Sequence, residues 1–196
     1  MPEAKVGWQP PAMTTDAPAP ASARAALLAG QLDMVWALFE YHLPGLDFDD
    51  HLWEPAPGAW NVRPDGAGRW VPDWQVPEPD PVPTTSIGWL SWHIGYWWTV
   101  TLRHCFGDGA PAREEIFWPG GAGATADWLR GLKDEWRAEL LRLTDEDLDS
   151  TGRTAGLPLF GDTVLTLAET ASWVNFELAK NVSEIGLTVR LRRASA

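Results

Sequence analysis

Four stretches of this chain repeat apolar residues at the 3.6-residue helical period, and no stretch alternates with the two-residue period of a strand. Amphipathic helices without strands between them can bury their apolar stripes only against one another, which predicts an all-α fold built as an up-and-down four-helix bundle. The first run places Leu27, Leu28, Gln31, Val35, Leu38, Phe39 and His42 at helical spacing behind Ser22, a plausible N-cap, and Pro44-Gly45 stops it. In the second, Ser86 opens a segment carrying Leu90, His93, Ile94, Trp97, Val100, Thr101 and His104, which ends at Gly107-Asp108-Gly109. The third follows Thr125 as N-cap with Trp128, Leu129, Leu132, Trp136, Leu140 and Leu143. The last follows Asp162 as N-cap, and its apolar positions Val164, Leu167, Ala171, Val174, Leu178, Val182, Ile185 and Val189 stay within about 40° of one direction. The expected helices are residues 23–43, 86–106, 125–143 and 163–191, antiparallel in sequence order apart from the long crossover after the first. TDEDL at 144–148 reads as one short turn before an irregular connection.

Between the first two helices lies a long crossover, residues 46–85, in which many prolines are interleaved with Trp53, Trp60, Trp70 and Trp74. Prolines remove backbone donors, so this stretch is expected to hold no strands or helices of any length. Its tryptophans predict an excursion packed on the body. Residues 1–21, rich in Pro, Ala and Thr, read as a flexible arm that Trp8 could pin, leaving residues 22–196 as the domain.

Charge and composition exclude several classes of function. A formal charge of -12 repels a phosphate backbone and argues against nucleic acid as a partner. The cluster Arg190, Arg192 and Arg193 sits at a helix C-terminus, where cations complement the helix dipole. Cys105 is the single cysteine, so an internal disulfide is impossible, and its place at the end of the second helix marks it as a packed thiol. No run of about 18 apolar residues predicts a membrane span. The N-terminus lacks the apolar core of a signal peptide, which points to a cytoplasmic protein. A phosphate-binding loop, a GxSxG elbow and a CxxC pair are all absent. Fourteen tryptophans stand against two tyrosines. Trp89, Trp92, Trp97 and Trp98 cover nearly every side of the second helix, so some must face the crossover or a second subunit, either as packing or as the wall of a small-ligand pocket.

Three segments carry a resemblance: EPAPGAWNVRPDGAGRW in the crossover, TTSIGWLSWHIGYWWTVTLRHCFG on the second helix and ASWVNFELAKNVSEIGLTVRLR on the fourth. Together, over about residues 23–193, they resemble the DinB-like (DinB/YfiT) superfamily. The resemblance implies a commonly dimeric bundle holding a divalent metal, such as zinc or nickel, through one histidine of the second helix and an HxxxH pair of the fourth. It also implies thiol-dependent transferase or isomerase chemistry with mycothiol, bacillithiol or glutathione-like cosubstrates. An open metal position would bind the thiol and lower its pKa.

His93 falls where the second-helix ligand belongs, but KNVSEIG puts Lys180 and Glu184 at the two histidine positions of the fourth helix. Glu184 is a competent oxygen ligand, Lys180 competes with a metal for space, and Glu177, about 20° away from Glu184 around the helix, could supply a second carboxylate. Two readings stay open. In one, His93, Glu184 and Glu177 hold a metal in an S-transferase or isomerase. In the other, the metal is lost and the chain is a noncatalytic, small-ligand-binding or stress-associated homodimer. In either, His93, Trp97, Lys180 and Glu184 are expected to line the main pocket, with Lys180 supplying the charge a metal once provided. His93 and His104 lie about 16 Å apart along the helix and cannot share an ion. His42 and His51, near helix and loop ends, are expected at the surface.

Overall fold

The computed structural model describes residues 20–195, so the arm and Trp8 fall outside the described residues except for the arm's last two positions. Four long helices dominate: α1 (Ala23–His42), α3 (Ile87–Phe106), α4 (Ala122–Arg142) and α6 (Leu167–Ala194). Two short ones, α2 (Phe48–Leu52) and α5 (Asp145–Asp149), and two short strands, β1 (Val62–Pro64) and β2 (Trp70–Pro72), fill the connections.

Two of the expected N-caps hold. Ser22 Oγ accepts from the Ala25 amide at 3.0 Å, and Ser86 Oγ accepts from the Trp89 amide at 3.1 Å. The other two move. α4 starts at Ala122 behind Gly121, because the small residues of its first turn continue the helix without a side-chain cap, and Thr125 is buried inside it. α6 starts at Leu167, where Thr166 and Glu169 exchange bonds as a capping box and thereby satisfy two amides that Asp162 could not reach. Val164 consequently lies before the helix and is 52% exposed rather than in the core.

The long helices close a ring of contacts: α1 packs on α4 and α6, and α3 packs on the same two. Their directions correct the expected arrangement at one step, from α3 to α4. Asp33 pairs with Arg137 and Glu40 with Arg130, so α1 and α4 are antiparallel. His93 meets Asn181 while Trp97 meets Trp173, so α3 and α6 are antiparallel as well. In contrast, Gly95 abuts Trp128 and Arg103 pairs with Glu135, so α3 and α4 run parallel. Asn175 donates to the Leu28 carbonyl and Gly186 abuts His42, so α1 and α6 are parallel too. The order is up, down, down, up. The reason is length: residues 107–121 can span about 50 Å when extended, more than the roughly 30 Å rise of a 20-residue helix. That connection returns along α3 before α4 begins.

The two parallel contacts are made by glycine. A Cβ on Gly95 would lie 1.8 Å from the Trp128 ring, and one on Gly186 would lie 2.5 Å from the His42 ring. His42 is therefore a half-buried packing residue rather than a surface one.

The crossover is packed, as its tryptophans predict, but it is not free of regular structure. α2 carries a capping box between Asp47 and Asp50. β1 and β2 pair antiparallel, Val62 opposite Pro72 and Pro64 opposite Trp70, around a turn in which the Asp65 carboxylate accepts from the Ala67 and Arg69 amides. Prolines are tolerated here because each three-residue strand ends on one, where few ladder bonds are lost. The strict all-α expectation is thus corrected by one small hairpin. The crossover is tied to α3 at its start: Ser86 Oγ donates to Asn61 Oδ1 at 2.6 Å, and the Ser86 amide donates to the Trp60 carbonyl at 2.9 Å. His51, expected at the surface, is 1% exposed, with its ring near Trp118 and its Nδ1 2.7 Å from the Asp47 carbonyl.

Candidate functional site

The crossover, the first turns of α3 and the second half of α6 border an open cavity of about 440 Å³. That volume is within the range of small-ligand sites. Trp60, Trp74 and Trp89 form its aromatic wall, while His93, Lys180, Asn181 and Glu184 supply polar groups, and Leu187 and Leu191 close the apolar side. Three of the four expected pocket residues are therefore brought together. Trp97 is not among them: it is 1% exposed and packs on Trp98 and Trp173, because its position on α3 turns into the helix ring.

Each polar group has a definite state. The Trp89 ring stacks on His93 with centroids 4.8 Å apart and planes at 19°. Asn181 Nδ2 donates to the Glu177 carbonyl at 2.7 Å, so the amide oxygen faces His93 Nδ1 at 3.3 Å. A carbonyl oxygen can only accept, so Nδ1 carries the proton and Nε2 keeps its lone pair. Burial pushes the His93 pKa down to about 4, opposed by the Asn181 bond and helped by the Lys180 charge. His93 is uncharged at neutral pH.

On α6, Lys180 Nζ lies 2.7 Å from Glu177 Oε2, one turn back, and not on Glu184. The i,i+3 spacing makes this the shorter reach. Glu184 is in no ion pair among the described residues. Partial burial raises its pKa, Lys180 lowers it in part, and Glu177 raises it further. Sequence reasoning missed Asn181, whose signal was a polar side chain at an inward position of α6, and it missed the pocket roles of Trp60 and Trp74. His104 stands apart with Nε2 3.0 Å from the Ala155 carbonyl. Cys105 is buried, and burial pushes its thiol up to about 11, consistent with a packed, inert side chain.

The family description "DinB superfamily" matches residues 31–185. The chain belongs to the DinB superfamily. No curated protein matches it at significance. Among solved structures it is similar to a conserved protein from Enterococcus faecalis, at 14% identity and a TM-score of 0.54 over 85% of this chain and 95% of that one. That likeness is one of fold.

The metal implied by the DinB resemblance can be tested against the donor set. Lys180 occupies the first ligand position on the fourth long helix, and its ammonium engages Glu177. His93 and Glu184 then remain as the only free donors of the expected set. No group of three His, Cys, Asp or Glu side chains among the described residues is close enough to hold an ion. The residues of this DinB chain do not fit a divalent ion with three protein ligands.

Proposed function

We propose that this DinB-superfamily protein is a metal-free small-ligand-binding protein, in which the ancestral metal position has become the polar end of an aromatic-walled pocket. The observation that carries this reading is the Lys180–Glu177 pair at 2.7 Å, which puts a cation and its counter-ion where two metal donors would be required. Thiol-transferase chemistry is less well supported. With a pKa pushed down to about 4, His93 is a poor general base for a thiol whose ordinary pKa is about 8.5.

We read the protein as a homodimer. Leu27, Met34, Leu38 and Tyr41 are 64, 48, 43 and 65% exposed along one stripe of α1, which supports an apolar face that a second copy could cover. A cytoplasmic setting is consistent with the one buried thiol. No helix among the described residues is long and apolar enough to cross a membrane.

Metal content after purification without added ions tests the first reading. Less than stoichiometric zinc or nickel, and no shift in melting temperature when either is added, is the expected result. Joint substitution Lys180→His and Glu184→His should create zinc affinity that the parent lacks, because it rebuilds two imidazoles one turn apart opposite His93. A parent that retains one metal per chain would sink the proposal. Light scattering that reports a monomer at tens of micromolar protein would remove the dimer.

A further inference from the structure

Resting on the ligand-pocket reading above, we propose that the cavity selects an organic ammonium: a primary or secondary amine carrying an aromatic or apolar body. The charged part of the lining is dominated by acceptors: the Glu78 and Glu184 carboxylates and the His93 ring nitrogen stand against one lysine. His93 Nε2 has no hydrogen-bond partner among the described residues, and the orientation of Asn181 leaves that nitrogen a lone pair to offer. Glu78 and Glu184 line the cavity and belong to no ion pair among the described residues, whereas Lys180, the one cationic side chain in the lining, is neutralised by Glu177. Thr188, which could donate, spends its hydroxyl on the Glu184 carbonyl at 2.9 Å.

A ligand that brings N–H donors and positive charge satisfies His93 and the carboxylates together. An anion would leave both unmatched and meet like charge. Tryptophan walls favour a cation over a neutral molecule of the same shape, since the indole face is the strongest cation–π partner among side chains. The chain's net charge of -12 acts in the same direction at longer range. The requirement for an N–H donor at His93 separates this class from quaternary ammonium compounds.

Calorimetry on the full chain with phenethylamine, 2-phenylethanol and 3-phenylpropionate at pH 7 tests the inference. The three share a phenyl body and differ in the charge of the head. The amine is expected to bind about tenfold tighter than the alcohol, and the carboxylate more weakly than either. Glu184→Gln keeps the shape of the side chain, its folding is checked by circular dichroism, and it should remove most of the amine's advantage over the alcohol. N,N,N-trimethylphenethylammonium should bind more weakly than phenethylamine. An amine that binds no tighter than the alcohol, or that binds equally to Glu184→Gln, overturns the charge selection. Failure of the underlying reading shows elsewhere: it would appear as stoichiometric zinc in the metal assay, whatever the amine does.

Discussion

The two halves of α3 are built from the same residue type and do different work. Trp89 and Trp92 in the first half, and Trp97 and Trp98 in the second, are all buried, the last three at 1% exposure or less. In the first half each indole N–H is bonded to a loop carbonyl, Trp89 to Asp73 and Trp92 to Ile116, both at 2.8 Å. In the second half Trp97 Nε1 and Trp98 Nε1 have no partner among the described residues. The first pair hangs irregular connections on the helix, and Trp89 also walls the cavity around His93. The second pair fills space between regular helices, where size and apolarity suffice. A tryptophan count, or even a helical wheel, treats the four alike. Within α3, the destination of the indole N–H separates a tryptophan that tethers a connection from one that only packs.

The sharpest way to break this comparison is a matched pair of substitutions. Trp92→Phe removes indole volume and also strands the Ile116 carbonyl, so it should cost about 3 kcal/mol, whereas Trp98→Phe loses no hydrogen bond and should cost about 1 to 2 kcal/mol. Urea denaturation of the two variants measures the difference. Equal losses would show that both halves are mere packing.

Acidification of the parent beside a His93 variant probes the first half. The folded-state pKa of His93 is pushed down to about 4, below the ordinary histidine value near 6.5 in the unfolded chain. Between those values the unfolded chain binds the proton and the folded one does not. Stability is therefore complete above about pH 6.5, falls as pH drops toward 4 and levels off below it, by up to about 3 kcal/mol from this residue. His93→Gln should flatten that part of the stability profile. A profile unchanged by the substitution would mean that His93 is not held in a desolvated, neutral state.

Gly95 separates the two halves, and a Cβ there would collide with Trp128. Gly95→Ala should destabilise by about 2 kcal/mol even though alanine is the better helix former, because α4 must move away to make room. Thermal denaturation reads this directly, and a stabilised variant would disprove the close contact of α3 and α4.

Sequence periodicity made the four long helices legible, and the serine caps made two of their starts legible, because both signals are local. The start of α6 was also written locally, in the Thr166 to Glu169 capping box, but Asp162 drew the N-cap to the wrong position. Helix direction was not legible. An amphipathic stripe has no polarity, and a connection as long as residues 107–121 permits either a parallel or an antiparallel return. At the site, the position of His93 followed from the second-helix segment and those of Lys180 and Glu184 from KNVSEIG, and the structure lines one cavity with all three. The partner of Lys180 did not follow from a family pattern. Helix geometry puts both Glu177 and Glu184 about one turn from Lys180, and the order with the acid N-terminal to the lysine is the favoured one.

The smallest expected effect on stability, and the most informative one about the site, comes from Lys180→Met. The methionine keeps the length and apolar stem of lysine and removes only the charge. The Lys180–Glu177 pair joins a 44% exposed side chain to a 14% exposed one at i,i+3 spacing, so breaking it should cost at most about 1 kcal/mol. The titrations should move more visibly. Lys180 lowers the pKa of both His93 and Glu184, so removing its charge should raise both. NMR titration of the His93 ring and of the Glu184 carboxyl carbon measures the two together. If both rise while the melting temperature barely changes, Lys180 acts as an electrostatic partner of the pocket and not as a structural prop. A large loss of stability with unmoved pKa values would reverse that assignment and put Lys180 in the same class as the packing tryptophans of the second half of α3.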